Sequence, residues 1–339
     1  MSLSKQEKEQ MKAYMVKAFK MTASRDRATK ELGLNRLALA LQIPFREGVL
    51  FGDIVTDIYQ SEQFEYGVAP EYPLDPVAPG TEKNIVAYTI PGEGDLPTKH
   101  FEGDYVTVPT YEVGFGISWL ARHAMVARWN LLARYLQVME AGFVKKRNDD
   151  GWKTLIAASA DRNIIVIDSQ AAQGVFTKRL VSNAKVLFTR NGGGNSSSVN
   201  RRFMTDLYLS PEMQEEMRNW GLDQVDDVTR REIYLSEDGT GRLSRVFSVN
   251  LHPVHELGEN QEYQDYYLND LGASLGSGDV ELMIGVNQMT SSSFMHPYRE
   301  EPTIYPNQLI TNFRKAGLEG MADWGFGVFD NRDCILLSC

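Results

Sequence analysis

The stretch that most constrains this chain runs from Trp119 to about Arg147. Met125, Trp129, Leu132, Leu136, Met139 and Phe143 recur at alternating spacings of four and three, which places them on one face of an α-helix. Leu120, Ala124, Leu131, Tyr135 and Val138 make a second apolar stripe, and Arg122, His123, Asn130, Arg134 and Gln137 fall on the ridge left over. Arg128 lies between the stripes and has to snorkel or find an anionic partner. Such a helix is about 43 Å long at about 1.5 Å per residue. Two apolar faces predict a strut packed on both sides.

The 339 residues can bury a large core and hold two subdomains. A net charge of -10 argues against a surface that neutralises nucleic-acid phosphates continuously. The two cysteines, Cys334 and Cys339, are too few for a disulfide framework and point to a reducing compartment. No apolar run approaches the roughly 20 residues that cross a bilayer. The N-terminus, rich in Lys, Glu and Gln, lacks the pattern of a signal peptide. The expectation is a soluble chain, cytosolic at synthesis.

Lys5 to Met21 reads as an amphipathic helix or an arm that becomes one on contact, and Ile43-Pro44 closes any helix through Asn35–Phe45. Gly52 to Tyr59 reads as a short strand. From Gln60 to Thr110, seven prolines between Pro70 and Pro109 surround two β-like runs, Asn84–Ile90 and Tyr105–Gly114. A connection of about 50 residues is long for a compact domain. With Tyr88, Phe101, Tyr105 and Tyr111 in it, the segment predicts a projecting two-stranded arm that runs into the long helix. Asn148-Asp149-Asp150-Gly151 looks like a break, after which Trp152–Ala158 resumes as helix, and the two pieces can form one kinked rod.

Further on, Asn163–Ile167 is a candidate buried strand, and Thr177–Arg190 is a helix stopped by Gly192-Gly193-Gly194. A strand Phe203–Leu209 meets Ser210-Pro211-Glu212, an N-cap, a first-turn proline and an acid at the positive helix end, in a helix running to Trp220. Asp238-Gly239 marks a turn. Val246–Leu251, Val280–Val286, Ile310–Phe329 and Cys334–Leu337 read as strands. Helices and sheets in blocks predict an α+β protein.

Chemistry is hard to find in the sequence. His252-Pro253-Val254-His255, with His296 downstream, is the best metal candidate, yet Pro253 keeps the pair off a helix and no cysteine cluster accompanies it. Gly272–Gly278 lacks the strand-turn-helix context and lysine of a phosphate loop. Asp149-Asp150 and Asp226-Asp227 could serve as acid and base, but solvated turn or cap charges are the commoner role of such pairs. Cys334 in an apolar terminal strand is expected to be an inert thiol. Asn195-Ser196-Ser197 fits a glycosylation sequon that a cytosolic protein does not use. The expected catalytic, cofactor-binding and metal residues are therefore none, and no cofactor is expected.

The order of parts resembles one family. Val108-Pro109-Thr110-Tyr111-Glu112 leading to Trp119, Asp206-Leu207-Tyr208-Leu209-Ser210-Pro211-Glu212-Met213, and Gly317–Gly327 with Ala322-Asp323-Trp324-Gly325 resemble the major capsid proteins of tailed phages, from about Asn35 onward. That resemblance implies the Hong-Kong-97-like capsid fold, shared with encapsulins. Its parts are an N-terminal arm, an extended β-hairpin loop, a long spine helix in a peripheral domain, and a mixed α/β axial domain. The implied limits are arm 1–45, peripheral domain 46–160 with loop 60–110 and spine helix 118–158, axial domain 161–295, and peripheral closing strands 296–339. It also implies a shell subunit without an active site, assembled in the host bacterial cytoplasm and residing in the virion capsid. Its partners would be further copies of itself in pentamers and hexamers, a separate scaffolding protein, a portal and possible decoration proteins. It would enclose double-stranded DNA without sequence-specific binding, and it would have no membrane contact. Lys83 and Lys99 lie on the arm and are expected to stay solvated rather than cross-linked. An encapsulin-type compartment is one alternative, and a cytosolic metal-dependent hydrolase built on His252, His255 and His296 is another.

Overall fold

A computed structural model of the chain describes residues 5–51, 57–73, 105–126, 129–191, 202–217, 220, 245–276, 278–289, 293–307 and 314–339, without the side chains of 5–12, 50–51, 129–132 and 191. The chain divides into two compact units. The first comprises residues 1–70, 107–151 and 296–326, and the second 71–106, 152–295 and 327–339.

In the first unit, helix α1 (Lys5–Met21) lies against α2 (Arg27–Phe51). Asp26 caps α2 by accepting the Thr29 amide at 3.0 Å. Leu34, Leu37, Ala38, Leu41, Phe45 and Val49 form its buried stripe. The close crossing needs Gly33, because a Cβ there would stand 2.7 Å from the Met21 Cβ. The helix does not stop at Pro44, as the Ile43-Pro44 pair predicts, but carries it in its interior. A proline there forfeits one backbone hydrogen bond. Burial of Phe45 and Val49 on the far side, with the Phe45 ring edge-on to Phe143 at 5.4 Å, offsets that loss and carries the helix on.

The sheet of this unit has the order β1 (Gln60–Gln63), β10 (Phe294–Pro306), β11 (Lys315–Trp324), β4 (Tyr111–Leu120). Strands β4 and β11 pair antiparallel along their full length, from Tyr111↔Trp324 to Leu120↔Lys315. Of the predicted strand Gly52–Tyr59, residues 52–56 lie outside the described residues. Ile58 and Tyr59 are buried in the turn before β1, which starts one residue later. The thirteen-residue β10 is absent from the sequence reading, since His296-Pro297 and Arg299-Glu300-Glu301-Pro302 hide its alternation.

The long helix is displaced. Trp119 and Leu120 close strand β4, and a short helix α3 (Ala121–Met125) follows. The rod α4 runs unbroken from Trp129 to Asp161, through the expected break at Asn148–Gly151. Pairs Lys145–Asp149 (3.5 Å) and Lys146–Asp150 (2.5 Å) span one helical turn there. Tyr59 also donates its hydroxyl to the Gly151 carbonyl at 2.9 Å. The two-faced strut is corrected: Met139 and Phe143 are buried, but Val138 on the second stripe is 47% exposed and Met125 of the first is 60% exposed. Leu131 and Leu132 lie outside the described side chains.

The second unit is built on a six-stranded mixed sheet of order β5 (Ile165–Ile167), β13 (Cys334–Ser338), β9 (Leu282–Val286), β6 (Asp206–Leu209), β8 (Val249–Pro253), β7 (Arg245–Val246). Strands β13, β9 and β6 at its centre are buried at every residue, as near-continuous apolar runs require. The closing strand β13 therefore sits in this sheet, between β5 and β9, and not with β10 and β11. Helix α5 (Lys178–Asn191) seats Leu180, Val181, Ala184 and Phe188 in the same apolar cluster as Leu207, Met283 and Leu337. Strand β5 is an edge strand with only Val166 buried, where the sequence predicts a buried one. Helix α6 (Pro211–Glu216) ends before Trp220. Its cap is as read, with the Ser210 Oγ accepting the Met213 amide at 3.2 Å.

The single strand expected over Val246–Leu251 is instead a tight hairpin, β7–β8, turning at Phe247 and Ser248 with φ of 49° and 67°. Strands β2 (Glu71–Pro73) and β3 (Tyr105–Thr107) pair as a two-stranded sheet and so close the base of the proline-rich segment. The second predicted run of the arm, Tyr105–Gly114, is interrupted at Val108-Pro109-Thr110. Asn84–Ile90, Lys83, Lys99, Gly192–Gly194, Asn195–Ser197, Asp226-Asp227 and Asp238-Gly239 lie outside the described residues.

Candidate functional site

The three histidines do not assemble. His252, on β8, sets its Nε2 2.8 Å from Asp206 Oδ1 and stacks on Tyr208 at 4.9 Å. Burial works to raise the Asp206 carboxyl, but hydrogen bonds from His252, Thr205 and Asn250 outweigh it and the net shift is downward. His255 is exposed in the turn beyond β8. His296, on β10, has its Nδ1 2.8 Å from the Gly325 carbonyl and stacks on Phe326 at 4.4 Å. Burial, reinforced by the Arg147 charge, lowers its pKa to about 3. Such an imidazole is a core hydrogen-bond donor. Among the described residues no group of three His, Cys, Asp or Glu side chains could hold a metal ion.

The remaining chemical candidates that lie among the described residues resolve into structure. Asp149 and Asp150 are helix-surface ion-pair partners of Lys145 and Lys146, and Asp150 also accepts the Trp324 indole N–H at 3.3 Å. Gly272–Gly278 is a surface loop with positive φ at both end glycines. Burial pushes the Cys334 thiol up to about 12, so no thiolate is available near neutrality.

The best-built polar cluster went unnoticed in the sequence. Arg202 pairs with Asp330 and Asp333, each at 2.5 Å, and Arg332 pairs with Asp330 at 2.6 Å. Asp333, fully buried, also accepts Asn287 Nδ2 at 2.8 Å and the Ser293 hydroxyl. Arg162 donates to the carbonyls of Asn331 and Cys334 at 3.2 and 3.0 Å. The cluster ties the turn Asp330–Asp333 to the sheet and presents nothing to a substrate. Its only sequence signal is the charged run Asp330-Asn331-Arg332-Asp333 placed directly before an apolar strand.

What stays open are surfaces. Strand β4 pairs on one side only among the described residues, and it exposes Tyr111 and Phe115 without a lysine or proline to blunt the edge. At the edge of the six-stranded sheet, Phe247 stands 49% exposed on the β7–β8 turn. No helix is long and apolar enough to cross a membrane, among the described residues. This inventory suits a protein that binds other protein surfaces.

No family profile matches the chain, and no curated protein matches it in sequence. Solved structures do match. The capsid structure of the cyanophage P-SCSP1u superposes over 84% of this chain and 88% of its own, at 10% identity and a TM-score of 0.56. A structure from Microbacterium phage Oxtober96 superposes over 85% and 90%, at 10% identity and a TM-score of 0.56. The head structure of Helicobacter pylori bacteriophage KHP40 does so over 85% and 90%, at 10% identity and a TM-score of 0.52. The chain has the α+β fold of these solved phage structures.

Proposed function

We propose that this chain is the major capsid protein of a tailed bacteriophage, a structural subunit that assembles into an icosahedral shell around double-stranded DNA. The observation that carries the reading is the fold shared with a phage capsid structure over 84% of this chain and 88% of the other. That match spans nearly the whole of both chains. The open sheet edges support the same reading. The six-stranded sheet and its helix act as the axial domain that meets its equivalents in pentamers and hexamers. The α2, α4 and β4–β11 assembly acts as the peripheral domain, and the segment closed at its base by β2 and β3 reaches toward neighbouring copies. A separate scaffolding protein and a portal complete the assembly, the subunit carries out no catalysis, and its location is the virion.

Electron microscopy of the purified protein tests this directly. Shells, tubes or capsomers are expected, while a small compact particle carrying stoichiometric zinc overturns the reading in favour of an enzyme. Replacing Glu71–Lys99 with a short Gly/Ser linker should leave a soluble, cooperatively folding subunit that forms no shells. Normal shells from that deletion would remove the proposed role of the segment.

A further inference from the structure

Two complementary surfaces lie apart on the six-stranded sheet, one at the β7–β8 turn and one at the opposite strand end, where β13 finishes. At the β7 edge, Phe247 and Ser248 both hold positive φ, 49° and 67°, the pattern of a primed hairpin turn that normally takes Asn or Gly. A phenylalanine is strained there. Its ring is 49% exposed, so burial within the subunit does not compensate for the strain. Basic groups flank it. Lys185 of α5 donates to the Phe247 carbonyl at 2.6 Å, and Arg245 is exposed on β7 two residues before it.

At the β5–β13 side, the loop after β8 and its short helix enclose a cleft of about 510 Å³. Leu268, Leu275 and Val280 supply apolar wall, and Glu259, Asp265 and Asp279 supply carboxylates. The segment from Glu256 to Glu281 holds seven acidic residues and no lysine or arginine. The cleft is tied to that strand end by Asp279, which accepts the Ser338 hydroxyl of β13 at 2.5 Å. Gln264, 4% exposed, lines the cleft and donates its Nε2 to the Val280 carbonyl at 2.7 Å, but its buried Oε1 has no hydrogen-bond partner among the described residues. A buried carbonyl oxygen left this way is costly, and an incoming N–H relieves it.

We propose that the occupant of this cleft is the β7–β8 tip of a second copy of the chain. Phe247 inserts between Leu268 and Leu275 while Lys185, Arg190 and Arg245 meet Glu259, Asp265 and Asp279. The two surfaces differ and sit at opposite strand ends of the sheet, so the contact is head-to-tail, and a head-to-tail contact closes into a ring when its rotation divides a full turn. The strain at Phe247 then has a function, since it holds an aromatic anchor outward for the next copy. This inference rests on the shell reading and assigns the partner surfaces within a capsomer.

Three measurements on the full chain test it by sedimentation velocity and electron microscopy. Phe247→Gly relieves the turn, so its monomer should melt at or above the wild-type Tm, yet it should form no capsomers where wild type does. Glu259→Lys, at an exposed position, should keep the wild-type Tm and also fail to assemble. Mixing these two variants leaves one intact knob and one intact cleft, so one-to-one dimers are expected from proteins that are each monomeric. Variants that assemble like wild type overturn the interface and leave the shell reading standing. Two assembly-dead variants that form no dimer on mixing show that the surfaces serve different partners, which also overturns it. A wild type that forms only dimers or open chains, lost on either substitution, overturns the shell reading and supports the interface. A wild type that is monomeric throughout overturns both.

Discussion

The tightest test of the first unit is a double substitution where α4 meets strand β11. Phe143 is 1% exposed, edge-on to Phe45 at 5.4 Å and to Trp324 at 6.2 Å. Phe143→Ala removes a ring on which two other aromatic side chains pack, and such truncations cost about 3–5 kcal/mol. Gly320 lies beneath the same ring, and a Cβ added there would stand 2.9 Å from Phe143 Cε2 and 3.2 Å from its Cζ. Gly320→Ala alone should therefore cost about 1–3 kcal/mol by overpacking. In the double variant the new methyl enters the space that the ring has vacated. The double should be no less stable than Phe143→Ala, a favourable coupling of about 1–3 kcal/mol. Val138→Ala, on the 47% exposed face, is the control and should change stability by less than about 0.5 kcal/mol. Urea unfolding of the disassembled subunit, with the slope compared across variants, reads all four values. Additive costs in the double variant, or a Val138→Ala loss equal to that of Phe143→Ala, would refute the one-faced packing of α4.

Other perturbations give separate readouts. Asp333→Ala leaves Arg202 buried beside a lost partner, and a loss of about 3–5 kcal/mol in urea unfolding is expected, with Asp333→Asn recovering only part of it. Ser210→Ala removes the α6 cap and should cost about 1 kcal/mol in urea unfolding, and Ser210→Asp should not restore it, because the site is fully buried beside the Glu281 carboxyl. The His296 pKa falls from 6.5 to about 3 on folding, so the unfolded chain binds the extra proton between those values. Stability should therefore be intact above pH 6.5 and decline as pH falls, by about 2 kcal/mol at pH 5. His296→Gln should flatten that slope in unfolding curves taken from pH 7 to 5.

The sequence made legible those elements whose local chemistry and tertiary role agree. Ser210-Pro211-Glu212 caps its helix as read, and the α5 stripe is buried at the positions its period names. It misled wherever burial overrode local preference. Pro44 sits inside a helix because Phe45 and Val49 are buried beyond it. Asn148–Gly151 stays helical because Tyr59 and Trp324 hold Gly151 and Asp150 from outside the helix. Trp119, apolar and spaced to match the helix, belongs to a strand because β11 offers ten residues of pairing. The hairpin tip at Phe247 was invisible for a different reason. Nothing in Val246-Phe247-Ser248-Val249 suggests a primed turn, so the strongest candidate for an outward anchor carries no sequence signature at all.

The same comparison changes what the net charge of -10 means. Spread evenly, it would read as a shell lining that repels packaged DNA. It is not spread evenly. The segment Glu256–Glu281 holds seven acidic residues without a balancing lysine or arginine, and the rest of the chain carries 38 acidic against 35 basic residues. Most of the excess is thus one patch, and Glu259, Asp265 and Asp279 of that patch line a cleft. A lining that repels DNA has no need of a cleft, whereas a partner-binding surface does, and the basic face around Phe247 is its match within the same chain. Charge concentrated this way is partly neutralised once copies join. The electrostatic consequence therefore falls on assembly: rising salt should slow ring formation and weaken the ring, over the range in which the screening length shrinks from about 30 Å to about 8 Å. A diffuse lining predicts the opposite, because salt would relieve repulsion between acidic copies and promote their association. The sign of the salt effect on assembly separates the two.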